Sequence, residues 1–417
     1  MPSPITHVLY LRLILLCYPI VVQTGAHSAD QVTLTTDPAF TFTTSNTGPA
    51  TPTVTTDSIS SSHGIPHLHL KSKSPHCAHM SRLVDSEDCI GALDGKGPKN
   101  ILVTGGLGFV GSHLVDSLLQ HGHNVTVVDN LSTGNLSNLD HWSSHANLHI
   151  IIDDVENRNF HTSLPDLHQI YHLASPASPK HYQSHPIKTI QTNVLGTSNM
   201  LDLSKRLDAR IVLASTSEVY GSPTEHPQTE TYWGNVNPVG PRSCYDEAKR
   251  LAEAMALAYE NELNISVGIA RIFNTYGPRM RPDDGRVVSN FVVQALRGNP
   301  MTIYGSGNQT RSFQYVSDLI EGLKKLMASN VTGPINIGNP QEISIHQLSV
   351  TIAEILNISS SSVREFYPLP VDDPPRRRPS IGKAKELLDW SPKIKVREGL
   401  GATIDYFRKS LHLPNRS

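Results

Sequence analysis

Residues 101–114 read Ile101-Leu102-Val103-Thr104-Gly105-Gly106-Leu107-Gly108-Phe109-Val110-Gly111-Ser112-His113-Leu114. A short β-branched apolar run, three spaced glycines and an apolar pattern at Val110, Leu114, Val115 and Leu118 predict strand, tight turn and helix. Such a turn is a phosphate cradle. Gly106 is expected to allow the sharp turn, Gly108 to let backbone approach an anion without a Cβ, and Gly111 to let the helix pack against its strand. The free N–H groups of the helix's first turn then face phosphate oxygens.

Working outward, a second strand, Val125-Thr126-Val127-Val128, ends at Asp129. That is about the 20-residue distance at which a carboxylate meets the adenosine ribose hydroxyls of a dinucleotide. A carboxylate there favours NAD over NADP, whose 2′-phosphate it would repel. The bland alternative, a turn residue closing a strand, stays open for Asp129.

Further strands are expected at Leu148 to Asp153, Ile170 to Ala174 and Ile211 to Ala214, with a helix over Ile187 to Arg206. Strands alternating with helices of this length imply a Rossmann-type, doubly wound parallel sheet of the α/β class, covered on both faces. Ligand then sits beyond the carboxyl ends of the strands. Just past one such end lies Ser215-Thr216-Ser217-Glu218-Val219-Tyr220-Gly221, which gathers hydroxyls and a carboxylate. Some way on, Tyr245-Asp246-Glu247-Ala248-Lys249 opens an amphipathic helix. Spacing by four puts Tyr245 and Lys249 on one helical face, where Lys249 can lower the phenol pKa and leave Tyr245 able to take a proton from an alcohol.

The chain has 417 residues, more than one ordinary domain, so a core of roughly 300 residues plus an appendage is expected. Its net charge of −2 gives no reason to expect nucleic acid as a partner. Cys17, Cys77, Cys89 and Cys244 are scattered, with no Cys-x-x-Cys pair, so neither a metal site nor a disulfide framework is expected. Residues 1–23 carry an interrupted apolar run that fits a signal peptide or signal anchor, an unstructured leader being the alternative. Residues 24–98, rich in Ser, Thr, Pro and His, read as a disordered stem.

The glycine turn, the Tyr-x-x-x-Lys pair and the chain length together resemble the extended short-chain dehydrogenase/reductases that act on nucleotide sugars. Within them, His172 to Pro179, Thr216 to Gly221, Tyr232-Trp233-Gly234, Gly240-Pro241-Arg242 and Asp284 to Phe291 are similar to the UDP-glucuronate decarboxylases, also called UDP-xylose synthases. The resemblance covers about residues 99 to 410 and leaves out the first hundred.

It implies an NAD-dependent carboxy-lyase that oxidises C4 of UDP-glucuronate, loses CO2 from the 4-keto sugar and returns the electrons to give UDP-xylose. Tyr245, Lys249, Thr216, Ser217 and Glu218 fall on the family's catalytic positions. For the cofactor, it implies Gly105, Gly108, Phe109, Val110 and Gly111 in the turn, then Asp129, Asn130, Ser132, Thr133 and Gly134, with Asp154 and Val155 around the adenine. Leu173, Ser175, Thr192, Ala214, Thr275 and Arg286 match further cofactor positions, as do Tyr245 and Lys249. For the substrate it implies Glu218, Asn274, Tyr304, Arg311 and Arg377. Whether Glu218 works charged or protonated stays open.

The resemblance also implies an NAD-binding part at 99–271 and 312–345, a smaller α/β substrate domain at 272–311 and 346–412, and a homodimer formed through helices at 187–206 and 244–263. The leader implies a Golgi location, in the lumen or at the membrane, with a cytoplasmic one as the alternative. Rival activities are a UDP-sugar 4-epimerase or 4,6-dehydratase, and, in another class, a non-catalytic NAD(H)-binding module. Three departures from the family pattern stand out: Leu107 in place of alanine, which is expected to add bulk beside the phosphate, the segment Asp154 to Phe160, and Gln191 in place of lysine.

Overall fold

A computed structural model describes residues 97–359, 364–368 and 376–413, with two short strands nearer the N-terminus. The leader at 1–23 and most of the stem lie outside the described residues. Within the stem, β1 (Gln31–Asp37) pairs antiparallel with β2 (Phe40–Ser45). The run is rich in Val, Thr and Phe, residue types that favour extended backbone.

The catalytic region opens on β3 (Asn100–Thr104), whose side chains alternate between two cores. Ile101 and Val103 enter one and Leu102 the other, so both faces of this strand are covered. Helix α1 (Phe109–Gln120) follows and buries Leu114, Val115, Leu118 and Leu119, and β4 (Asn124–Asp129) lies beside β3. Next come β5 (Leu148–Ile152), β6 (Gln169–His172), the short α2 (Pro179–Ser184), α3 (Pro186–Leu207) and β7 (Arg210–Thr216). After a long loop, α4 (Ser243–Leu263) leads into β8 (Val267–Ile272).

A final strand for this sheet arrives much later in the chain, giving seven parallel strands with β3 and β6 adjacent at the centre. From β3 the chain winds outward through β4 and β5, then crosses back to β6 and winds the other way through β7 and β8. That reversal opens a crevice at the carboxyl ends of β3 and β6, and Asp129 at the end of β4 and Thr216 at the end of β7 lie at the same edge of the sheet.

The second part begins at β9 (Thr275–Tyr276), α5 (Val287–Arg297), β10 (Met301–Tyr304), β11 (Thr310–Ser312) and β12 (Gln314–Tyr315). The chain re-enters the main sheet through α6 (Val316–Ala328) and β13 (Gly333–Ile337), the outer neighbour of β8. It leaves again through β14 (Glu342–Ser344), α7 (Ile345–Ile355), β15 (Arg364–Tyr367) and β16 (Arg376–Arg377), and ends in α8 (Gly382–Leu388) and α9 (Val396–Ser410).

A separate core joins α5, α7 and α9 through Phe291, Val292, Leu348, Ile352, Leu400 and Phe407. Helix α8 packs elsewhere. Its Ala384 and Leu388, with Ile381 and Trp390, fill the core beneath α6 on the sheet side. The stretch 346–412 therefore serves both cores. β16 lies parallel to β11, which pairs on its other edge with β14, and this three-stranded sheet overhangs the crevice.

Candidate active site

The glycine turn is shaped by contacts that no side chain could share. Gly105 adopts φ +71°, and a Cβ there would lie 2.9 Å from the Ala174 Cα. A Cβ on Gly111 would fall 2.1 Å from the Gly105 carbonyl oxygen, so α1 packs directly on the turn. The left-handed position is Gly105 and not Gly106, whose hydrogen instead faces the Val127 side chain. Helix α1 has Gly108 at its N-cap with no side-chain cap, so its first N–H groups are directed at the crevice.

Asp129 closes this turn from β4. Its carboxylate accepts from the Leu107 N–H at 3.0 Å and from the Leu131 N–H at 2.8 Å, while burial pushes its pKa up. The turn-closing and cofactor-facing readings of Asp129 are thus compatible, since it also lines the cavity. Leu107 corrects an expectation: its side chain is fully buried in the core under α1, away from the phosphate side.

Two adjoining cavities follow. One, of about 470 Å³, is lined by Gly105, Gly108, Phe109, Val110 and Gly111, then by Asp129, Asn130, Ser132 and Thr133. Val155, Leu173, Ser175, Thr192 and Arg286 also line it. Gly134 and Asp154 stand just behind this wall. Gly134 packs against the Asp129 carboxylate, and Asp154 accepts from the Asn130 amide at 2.9 Å and pairs with Lys188 at 2.7 Å. Lys188 also holds Glu156, which takes the Thr192 hydroxyl, so the divergent segment after Asp154 is tied to α3. Gln191 is exposed on α3.

The other cavity, of about 510 Å³, is lined by Thr216, Ser217, Glu218, Tyr245 and Lys249, with Ala214 and Thr275 below them. Asn274, Tyr304, Arg311 and Arg377 reach it from the second part. Val110, Leu173, Ser175 and Arg286 border both cavities, so the two form one continuous crevice. Of the residues the family resemblance implies for catalysis, cofactor and substrate, all line it except Gly134 and Asp154, and Gly106 of the turn does not line it either.

Helix α4 delivers the proton-transfer pair on a stripe of small residues. Tyr245, Ala248, Lys249, Ala252, Glu253 and Ala256 share its buried face, the alanines letting the helix sit close to β7. Lys249 donates from Nζ to the Ala214 carbonyl at 2.8 Å and lies 5.9 Å from the Tyr245 ring centre. Burial lowers the Lys249 pKa to about 7, against the pull of Glu253. Tyr245 departs from the sequence expectation: burial holds its phenol well above the usual value, and a hydrogen bond from the Thr216 hydroxyl works only partly against this. Thr216 also accepts from the Glu218 N–H, which fixes the turn Ser217–Tyr220.

The sequence reading missed Tyr182 and Arg242 as site residues. Tyr182 of α2 stacks on Tyr245 with ring centres 4.8 Å apart and planes 2° from parallel. Its hydroxyl is buried without a partner among the described residues, as is the Asn274 side-chain nitrogen. Arg242 and Arg377 both pair with Glu218. Burial alone would raise the Glu218 pKa, yet Arg377 and Arg242, with Arg311 behind them, hold it down to about 2. Glu218 is therefore a carboxylate amid surplus positive charge, a setting that suits a second anion.

Sequence comparison fits this geometry. The family described as GDP-mannose 4,6 dehydratase matches residues 102–403. Among curated proteins, UDP-glucuronic acid decarboxylase 1 of Xenopus tropicalis is 56% identical over 319 residues, covering 76% of this chain and 74% of that protein. UDP-glucuronic acid decarboxylase 1 of Arabidopsis thaliana is 57% identical over 311 residues, 75% of this chain and 70% of that one. The chain belongs to the UDP-glucuronic acid decarboxylase family.

Solved structures agree on the extended short-chain dehydrogenase/reductase fold of this decarboxylase family. UDP-glucuronic acid 4-epimerase from Bacillus cereus, in complex with UDP-glucuronic acid and NAD, is 29% identical with a TM-score of 0.68, covering 75% of this chain and 99% of that one. UDP-glucose 4-epimerase from Thermotoga maritima, with UDP-glucose, is 32% identical with the same TM-score and coverage. The family is NAD-dependent, and the glycine cradle, the uncapped α1 terminus and Asp129 are the residues here that would hold the dinucleotide.

Proposed function

We propose that this enzyme converts UDP-glucuronate to UDP-xylose and CO2. Bound NAD supplies a reversible two-electron oxidation at C4 of the sugar, so no external oxidant is consumed. The observation that carries this reading is the Glu218 carboxylate held between Arg242 and Arg377 in the same cavity that Tyr245, Thr216 and Lys249 line. A charge cluster of this kind suits a sugar that carries an acid group, and a UDP-glucose 4-epimerase has no need of it. Between enzymes that take UDP-glucuronate, the 56–57% identity to decarboxylases favours loss of CO2 over epimerisation.

Tyr245 works as the phenolate, which would form once the positive charge of bound NAD joins that of Lys249 beside it. It then takes the C4 hydroxyl proton and later gives it back, and Thr216 donates to the C4 oxygen where negative charge collects as CO2 leaves. Lys249 raises the local positive potential beside the phenol, which in the bare site is held protonated by burial. Arg377 and Arg242 hold the substrate carboxylate through paired N–H donors, with Glu218 keeping the guanidiniums aligned. Loss of the carboxylate as neutral CO2 leaves its electron pair delocalised from C5 onto the ketone oxygen, facing Thr216 and Tyr245, and a proton taken up from water at C5 followed by reduction of C4 completes the pentose. Asn274 and Arg311 hold the diphosphate and Tyr304, on β10, faces the uracil. Arg286 and Ser175, on the shared border, position both ligands. Carbon dioxide and pentose nucleotide formed in equal amounts from UDP-glucuronate test this reading.

These roles suit an NAD part at 99–271 with 312–345 and a substrate part at 272–311 with 346–412, except that α8 of the last stretch packs in the sheet-side core. A homodimer is supported by the outer faces of α3 and α4, which expose Ile187, Ile190, Leu195, Leu251 and Leu257. Residues 1–23 would direct the chain to the Golgi; no helix among the described residues is long and apolar enough to cross a membrane. Sedimentation and cell fractionation check these two points.

A further inference from the structure

Gln228 lines neither cavity, yet it is fully buried and each of its four polar atoms is engaged. Its backbone N–H donates to the Arg378 carbonyl at 2.9 Å, and its carbonyl accepts the Ser380 N–H at 2.7 Å. Its side-chain Oε1 accepts the Arg378 N–H at 2.7 Å, and Nε2 donates to the Glu225 carbonyl at 2.6 Å. Three of these bonds grip the residues immediately after Arg377. On its other edge the same segment pairs with β11.

Asn336 of β13 reinforces the grip, donating to the Gln228 carbonyl at 3.1 Å and the Ser380 carbonyl at 3.0 Å. Its own oxygen accepts from the Tyr220 hydroxyl, which receives a bond from Arg271, and Arg271 pairs with Glu253 on α4. The strand bearing Arg377 is thereby joined to the helix bearing Tyr245 and Lys249. The guanidinium of Arg377 itself contacts Glu218 and the Gly221 carbonyl, and its Nε has no partner among the described residues. Its aim is set by where its backbone lies.

We propose that Gln228 is a positioning residue for Arg377, fixing the strand from which the guanidinium reaches Glu218 and the acid end of the sugar. This rests on the reading that Arg377 acts on the substrate carboxylate. A general stabilising role would cost folding without singling out the function of Arg377. A positioning role makes the two residues act as one.

The test uses the full chain with NAD and measures kcat and KM for UDP-glucuronate, bound NAD and thermal midpoint in Gln228→Ala, Arg377→Ala and the double variant. Gln228→Ala is expected to lower kcat/KM by about tenfold or more with NAD content unchanged, and the double variant to be no weaker than Arg377→Ala alone. Losses that multiply in the double variant overturn the proposal. Full activity in Arg377→Ala removes the functional reading itself, whatever Gln228 does.

Discussion

Arg311 and Arg377 are register partners on the adjacent parallel strands β11 and β16, and both line the cavity that holds Tyr245. Two residues far apart in sequence are thus set side by side by a short stretch of sheet. With Arg242 from the start of α4 they surround one carboxylate, Glu218. The site carries more positive charge than its own residues neutralise, which is the electrostatic requirement for a substrate with both a diphosphate and a sugar acid.

Replacing Glu218 by Gln removes the charge that aligns Arg242 and Arg377. Charge-assisted hydrogen bonds contribute about 1.5–3 kcal/mol each, so kcat/KM is expected to fall roughly tenfold to a hundredfold. Bound NAD is expected to stay at the wild-type level, since Glu218 lines only the substrate-side cavity. Steady-state kinetics and absorbance of the released cofactor measure the two.

Tyr245→Phe keeps the ring stacked on Tyr182 and removes only the proton carrier. Turnover is expected to drop by about 10²–10⁴ while NAD remains bound. Normal turnover in this variant would take proton transfer away from Tyr245.

Asp246 gives a pH signature. Burial and the nearby Glu218 push its carboxyl pKa up to about 7, with Arg242 and Arg377 opposing. A group with a raised folded pKa contributes stability below its unfolded pKa and loses it as pH rises through the folded one. That window runs from the ordinary carboxylate range up to about 7. Asp246→Asn, which cannot ionise, is expected to gain thermal stability relative to wild type at pH 8 more than at pH 4. Equal differences at both values would contradict the assignment.

Gly111→Ala places a methyl group against the Gly105 carbonyl and the Gly106 Cα, both backbone. Helix α1 has to move off the turn, at a cost of about 1–3 kcal/mol. Cofactor affinity is expected to fall with stability, as titration of NADH fluorescence would show.

Much of this was legible in the chain itself because it depends on local spacing. The Ile101–Thr104 run, the glycines, Asp129 and the Tyr245/Lys249 interval each act within a strand, a turn or one helical face. What was not legible depends on how distant segments meet. Nothing near Tyr182 in the sequence announces that it stacks on Tyr245, and Arg242 acquires its role only because β16 brings Arg377 to the opposite side of Glu218. The charge state of Glu218 follows from the same convergence. Leu107 differs from expectation for a similar reason: the direction of its side chain is set by the core under α1, which spacing does not reveal. The phenol of Tyr245 is governed by burial, a tertiary quantity, more than by the lysine four residues on.

The central claim is that a tightly held coenzyme is reused while the sugar acid loses its carboxyl group. Purified protein given UDP-glucuronate and no added NAD tests it most directly, by following released CO2, pentose nucleotide and free NADH together. Many equivalents of CO2 and UDP-xylose per enzyme with no free NADH are expected. Conversion to a C4 epimer without CO2, or one NADH set free for each pentose formed, would contradict the account.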